Sequence, residues 1–186
     1  MSEDAIMALI SEGNINAFQQ FYKDTYKKVF VFILSMTKCR HTAEDLMHDT
    51  YMRVFEKARS YQIGTNASTW IMTIARNITY DYFRRTKNTI LLDENFSENS
   101  ASISYDDPIS IYDDSISIIE NIDLEEALKK LSVINAQIVV LYAVCGYKHR
   151  EIATILSMPE GTIRRRYKEA ISALKNELGG VYNVSF

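Results

Sequence analysis

The stretch TWIMTIARNITYDYFRR, residues 69–85, decides the fold, because Trp70, Ile71, Ile74, Ala75, Ile78 and Tyr82 recur at three- and four-residue steps. At about 100° per residue, these side chains share the inward face of a helix expected from about Ala67 to Arg85. The opposite face collects Arg76, Tyr80, Phe83 and Lys87, with Asn77 and Arg84 at its edge. Exposed aromatics among cations suit unstacked bases: a base stacks on a ring, Arg and Lys track the backbone, and an amide reads a base edge. The competing reading sets Tyr80 and Phe83 against another domain or a linker.

The residues before this helix repeat the pattern. A short helix near 4–12 ends at Gly13, and Asn14 or Asn16 caps a long helix carrying Phe18, Phe21, Tyr22, Val29, Phe30, Ile33 and Met36 inward. A third helix opens at Thr42, which with Asp45 resembles a capping box, and turns Ala43, Met47, Thr50, Tyr51, Val54 and Ala58 inward. Its outward face shows Asp45, His48, Asp49, Met52, Arg53 and Glu56, a mixed acidic surface with an exposed Met that suits a protein partner better than phosphates. A loop at 60–67 containing Gly64 and Asn66 leads into the fourth helix.

Toward the C-terminus, helices are expected near 123–131, 134–145, 149–156 and 159–178, punctuated by Gly146 and the Ser157-Met158-Pro159 step. Two short helices joined by a tight turn, the second longer and basic, outline a helix-turn-helix. On the last helix Ile163, Tyr167, Ala170, Ile171, Leu174 and Leu178 share one face, so Arg165 and Lys168 lie opposite and Arg164 and Arg166 flank them. Arginines fanned around an exposed helix N-terminal half suit guanine edges and phosphates in a major groove; the plainer reading is a solvated helix face.

Charge divides the chain into three. Residues 1–88 carry 12 basic and 9 acidic side chains, and residues 124–186 carry 9 and 6. Residues 89–123 hold nine acids, seven serines and no Lys or Arg. The net charge of −3 therefore conceals two mildly basic modules and one acidic tether. The expected class is all-α: a helical bundle over 1–88, a flexible acidic linker over 89–120, and a helix-turn-helix domain over 121–186. The longest apolar run, Val29 to Leu34, is too short to cross a bilayer, and the Met1-Ser2-Glu3-Asp4 start lacks a signal-peptide pattern, so a soluble cytoplasmic protein is expected. Cys39 and Cys145 give no disulfide framework; Cys39, His41 and His48 lack metal-ligand spacing. No catalytic constellation or cofactor motif is evident, so neither an enzyme nor a cofactor is expected.

Taken together, these residues resemble the extracytoplasmic-function (ECF) class of bacterial sigma factors. Ala43 to Phe55 is similar to that family's core-polymerase-binding helix; Thr69 to Asn77 with Asp81 to Arg85 is similar to its −10 recognition and melting helix. Leu128 to Leu174, including Glu151-Ile152-Ala153 and Glu160-Gly161-Thr162-Ile163-Arg164, resembles its −35-binding domain. The resemblance implies a factor that binds core RNA polymerase, at the β′ clamp helices and the β flap, and directs initiation at promoters. Polymerase contacts would fall on Asp45, His48, Asp49, Met52, Arg53 and Glu56, and −10 contacts on Arg76, Asn77, Tyr80, Phe83, Arg84 and Lys87, with Asn77 matching a base-reading asparagine. Contacts to the −35 duplex would fall on Thr162, Arg164, Arg165, Arg166, Lys168 and Glu169. The loop at 60–67 would complete a pocket for a flipped base, the linker would thread toward the active-site cleft and RNA exit path, and an anti-sigma protein would be a further partner. The sequence departs from the family pattern at His48 and Asp49, where Gln and Glu are usual, at Lys148 in place of a Ser cap, and at Glu169, often basic. Two other readings are a conventional helix-turn-helix regulator, which binds duplex operator unaided, and an adaptor that binds polymerase without opening DNA.

Overall fold

Short polar caps set the helix starts. Ser2 accepts from the Ala5 amide (3.3 Å) to begin α1, Glu3–Ser11, and Asn14 accepts from the Ala17 amide (3.0 Å) to begin α2, Ile15–Thr37. Gly13 between them has φ +85, a left-handed conformation that glycine adopts without steric cost. α3 covers Arg40–Lys57 and runs into a 3₁₀ turn, Ala58–Ser60; α4 covers Ala67–Leu92. The second module comprises α5, Val133–Val139, continued by a π-helical turn, Val140–Val144, then α6, His149–Leu156, and α7, Glu160–Leu178. The computed structural model describes residues 2–92 and 130–178; the acid-rich linker from 93 and most of the helix expected near 123–131 lie outside them. Among the described residues every regular element is helical, as expected for an all-α chain.

α3 starts two residues earlier than its sequence suggests, and the Thr42–Asp45 capping box does not form. Cys39 supplies the extended residue before the helix, without a side-chain cap. Asp45 instead pairs with His41 (3.3 Å), and Arg40 with Glu44 (3.0 Å), two exposed i,i+4 contacts that brace the first turn. At α6, Lys148 stands where a capping side chain is usual. Only the reciprocal half of a box remains there, with Glu151 accepting from the Lys148 amide at 2.8 Å.

The core departs from a simple one-faced pattern at α2. Every residue from Val29 to Met36 is buried, including Val31, Phe32, Leu34 and Ser35, which periodicity alone does not place inward. A helix is apolar all round when it is enclosed all round. α2 packs against α1, α3 and α4, and also against α5 and its π-helical turn, so the two modules share one continuous core. Buried hydroxyls on these helices are satisfied locally: Ser35 donates to the Phe32 carbonyl (2.6 Å), Thr50 to Leu46 (2.7 Å) and Thr79 to Ala75 (2.8 Å).

Phe32 has no exposed surface at the centre of this arrangement. Phe32→Ala is expected to lower unfolding free energy by about 3–5 kcal/mol. Urea titration followed by Trp70 fluorescence and far-UV circular dichroism should show coincident, earlier midpoints, because one core serves both modules.

Candidate nucleic-acid interface

The N-terminal half of α4 borders a cavity of about 670 Å³ lined by Gln62, Thr65 and Asn66 of the preceding loop and by Thr69, Trp70 and Thr73 of the helix. Asn66 Oδ1 accepts from the Thr69 amide at 2.7 Å, fixing the point where loop becomes helix. Trp70 packs on the core, with its ring edge-on to Tyr61 at 5.4 Å, and also forms cavity wall. Thr69, Thr73 and Asn77 succeed one another every fourth residue, so the cavity stripe leads along the helix to the exposed Asn77.

The acidic first turn of α1 holds this loop in place. Asp4 Oδ1 accepts from the Tyr61 hydroxyl (2.8 Å) and Asp4 Oδ2 from the Gly64 amide (3.2 Å). Glu3 Oε1 accepts from the Ser68 hydroxyl (2.6 Å) and Glu3 Oε2 from the Ser68 amide (3.2 Å). The Tyr61 hydroxyl also reaches the Thr65 carbonyl. Burial, foremost, and then the nearby Asp4 and Glu3 raise the Tyr61 phenol above its ordinary range, with the Thr65 contact opposing them. In sequence, Glu3 and Asp4 read only as acids suited to a helix N-terminus; their long-range partners carry no local signature.

Farther along α4, the residues expected outward fall into different environments. Asn77 and Arg84 are exposed, Arg84 pairing with Asp81 at 2.8 Å. Tyr80 is 39% exposed, and the half-buried Arg76 guanidinium lies 5.1 Å from its ring centroid. Phe83, expected outward, is half-buried and packs on the core, whereas Tyr82, expected inward, is 37% exposed. α3 and the second module both pack on this helix, so its exposed surface is not the single outward stripe of an isolated helix. The Lys87 side chain lies outside the described residues.

α6 packs against α4 and closes the cavity from the other side with Arg150, Glu151 and Thr154. Among the described residues, the seam between the modules carries few hydrogen bonds. Tyr147 donates to the Ser68 carbonyl at 3.0 Å, Gln137 Nε2 to the Tyr80 hydroxyl at 3.4 Å, and Arg76 Nη1 to Ser157 Oγ at 3.5 Å. The Cys145 thiol points to the Lys28 carbonyl at 3.8 Å. Gln137 Oε1 and Arg76 Nε are buried at this seam, without a hydrogen-bond partner among the described residues.

The other two expected faces are exposed. Asp45, His48, Asp49, Met52, Arg53 and Glu56 all reach the surface of α3. Asp49, Met52, Arg53 and Glu56 line one wall of a groove of about 310 Å³, and Asp81, Tyr82 and Arg85 of α4 contribute to the other. On α7, Arg164, Arg165, Lys168 and Glu169 are exposed, while Thr162 and Arg166 are half-buried. Arg164 is paired with Glu160 (2.6 Å) and Arg165 with Glu169 (2.7 Å); Arg166 turns back to Asn135 at 3.5 Å. The 61–66 loop therefore meets Thr69, Trp70 and Thr73 at the start of α4, while Arg76, Asn77, Tyr80, Phe83 and Arg84 lie farther along the helix, outside the cavity lining, and the α3 and α7 sets stay on separate helices.

Two family matches cover most of this architecture: residues 21–89 match Sigma-70 region 2, and residues 122–174 match Sigma-70, region 4. The ECF RNA polymerase sigma factor SigW of Bacillus subtilis is 26% identical over 174 residues, covering 91% of this chain and 92% of that one. The chain belongs to the ECF sigma factors. Among solved structures, the sigma factor RpoE of Bartonella quintana, in complex with the anti-sigma factor NepR, superposes with TM-score 0.69 at 25% identity, covering 87% of this chain and 96% of that one. CnrH, in complex with the cytosolic domain of CnrY, shares the fold with TM-score 0.68 at 18% identity, covering 96% and 97%. As a sigma factor, the protein binds core RNA polymerase and directs transcription initiation at promoters. The ECF sigma factors are initiation factors rather than enzymes, and among the described residues of this one no helix is long and apolar enough to cross a membrane.

The seam also sets the chemistry of a thiol. Cys145 is 4% exposed, and burial pushes its pKa up from 9.0 to about 12, with Lys28 opposing the shift. A raised folded-state pKa contributes stability that is complete below the unfolded value and is lost as pH climbs through the folded one. Burial likewise raises the Tyr51 and Tyr147 phenols, so the sigma factor is expected to lose stability above pH of about 9. Denaturation midpoints measured across alkaline pH should fall more steeply for this sigma factor than for its Cys145→Ala, Tyr147→Phe variant.

Proposed function

We propose that this sigma factor divides its labour among three surfaces, with α4 and the 61–66 loop capturing the −10 strand. On this reading, Asn77 reads a base edge, Arg76, Arg84 and Lys87 follow the strand's phosphates, Tyr80 offers a stacking face, and the cavity beside Thr69 and Trp70 receives an unstacked base. Phe83, being half-buried, buttresses the helix instead of stacking on a base. The exposed acidic face of α3, from Asp45 to Glu56, meets polymerase, and the groove it shares with α4 admits a side chain of the larger partner. α7 enters the −35 major groove with Thr162, Arg164, Arg165, Lys168 and Glu169, and Arg166 supports it from the Asn135 side. The domains divide as 1–88, 89–120 and 121–186, and the chain acts in the cytoplasm as a non-enzymatic factor. The NepR complex of RpoE supports an anti-sigma protein as a further partner.

The observation that carries the −10 reading is the continuity of the cavity stripe, Thr69 to Thr73 to the exposed Asn77, on one face of α4. In the free chain α6 forms one wall of that cavity, so a strand enters only after the second module moves away. Polymerase, by engaging the two modules at separate places, supplies the free energy for that separation.

Asn77→Ala is expected to leave core affinity unchanged while costing about 1–3 kcal/mol of discrimination at one −10 position, read by transcription from a promoter library. Arg165→Ala should weaken dependence on the −35 sequence with core affinity intact; equal activity on every template would remove α7 from that role. In a Cys39→Ser background, Cys145 should resist iodoacetamide in the free chain and react when core polymerase is added. Continued protection in the holoenzyme would contradict the opening step.

A further inference from the structure

Two carboxylates beside a proposed nucleic-acid cavity need a physical reason, because an exposed anion there opposes a phosphate backbone. Glu3 and Asp4 have one: between them they accept four hydrogen bonds, all from the loop and the first turn of α4. Asp4 clamps both ends of the loop's tight part, Tyr61 on one side and Gly64 on the other. Gly64 has φ +89, a conformation reserved in practice for glycine, so the loop has one turn shape to be held in. Glu3 takes the hydroxyl and amide of Ser68, the residue immediately before cavity-lining Thr69. α1 itself is fixed to the bundle by buried Ile6, Met7 and Ile10, and Arg59 adds a tie from the 3₁₀ turn to the Ser11 carbonyl at 3.3 Å. The loop is thereby referenced to the core through a helix that carries none of the residues assigned to DNA.

We propose that Glu3 and Asp4 are positioning residues for −10 recognition: they set the shape of the 61–68 segment, and through it the width of the cavity that selects the unstacked base. The inference rests on the −10 role of α4 and its loop. It assigns a part in promoter specificity to α1. With both oxygens of each carboxylate engaged, the segment is held at Tyr61, Gly64 and Ser68 at once. A selective pocket needs that firmness, since its supporting shell decides how closely a base must fit.

The test compares two double variants in reconstituted holoenzyme. In Glu3→Ala, Asp4→Ala all four acceptors vanish. In Glu3→Gln, Asp4→Asn the amides keep the geometry, because Ser68 and Tyr61 hydroxyls accept from the amide nitrogens while the amide oxygens accept from the Ser68 and Gly64 backbone. Transcription from a −10 library gives the ratio of preferred to disfavoured templates. The alanine pair should lower that ratio by on the order of tenfold, with core affinity and −35 dependence unchanged, and the amide pair should restore it. A purely structural contribution of α1 would reduce output on all templates alike and leave the ratio where it was, which overturns the proposal. So does an amide pair that behaves as the alanine pair does. Should the double alanine variant fail to fold, Asp4→Ala alone is read by the same ratio: a lowered ratio supports positioning by α1, and an unchanged one overturns it. Asn77→Ala serves as the control: if it changes the ratio and the α1 variants do not, positioning by α1 fails alone; if neither does, the −10 reading of α4 fails with it.

Discussion

Enclosure of α2 on every side is the constraint from which the rest of the molecule follows. Eight consecutive buried residues, Val29 to Met36, cannot be covered by the first module's three other helices alone, and α5 with its π-helical turn supplies further cover. Burial of apolar area is the dominant favourable term in such packing, so the second module is drawn onto the first chiefly by apolar contact, with the Tyr147 to Ser68 hydrogen bond added at the seam. The π-helical turn contributes directly. Its wider spacing, closed by the Cys145 amide on the Val140 carbonyl at 2.9 Å, and the left-handed Gly146 bring Cys145 and Tyr147 against α2 and the start of α4.

The polar character of the seam is of a different kind. Among the described residues its hydrogen bonds are few and mostly long, Gln137 and Arg76 each hold a buried atom without a partner, and a cavity persists between α4 and α6. A joint held by apolar burial with few hydrogen bonds at its edge holds in isolation and separates only when each half finds a better partner. Such a joint suits the module separation proposed to open the cavity beside α4.

Much of this is legible in the sequence, for identifiable reasons. Helical class, the buried Ile71 and Ala75 of α4, the exposed acidic face of α3 and the helix-turn-helix outline all follow from periodicity and from Gly and Pro punctuation, which act locally, whereas the equally buried Met72 and Thr79 fall outside the expected stripe. The contacts that escape such a reading are those in which distant segments decide. Nothing near Glu3 or Asp4 announces Ser68, Tyr61 or Gly64 as their partners. The exchange of Tyr82 and Phe83 reflects the packing of α3 and the second module on α4, which an isolated helical wheel omits. By itself the Val29–Leu34 run says only that it is too short for a bilayer; its packing meaning, a helix shared by two modules, depends on where the second module lies. At Thr42, local capping chemistry is overridden because the backbone has already turned helical at Arg40.

The ion pairs along α7 carry a thermodynamic consequence for the DNA-reading role proposed for that helix. Arg164 and Arg165 arrive at the duplex each already balanced by a glutamate one turn away. To grip a phosphate or a guanine, each must exchange an intrahelical carboxylate for the nucleic acid, or carry that carboxylate into the polyanion's field. Fewer counterions are then set free per arginine than the cation count implies, and association becomes less sensitive to ionic strength. The same pairs suppress loose, sequence-blind adhesion to DNA, leaving the helix responsive chiefly where base geometry repays the exchange.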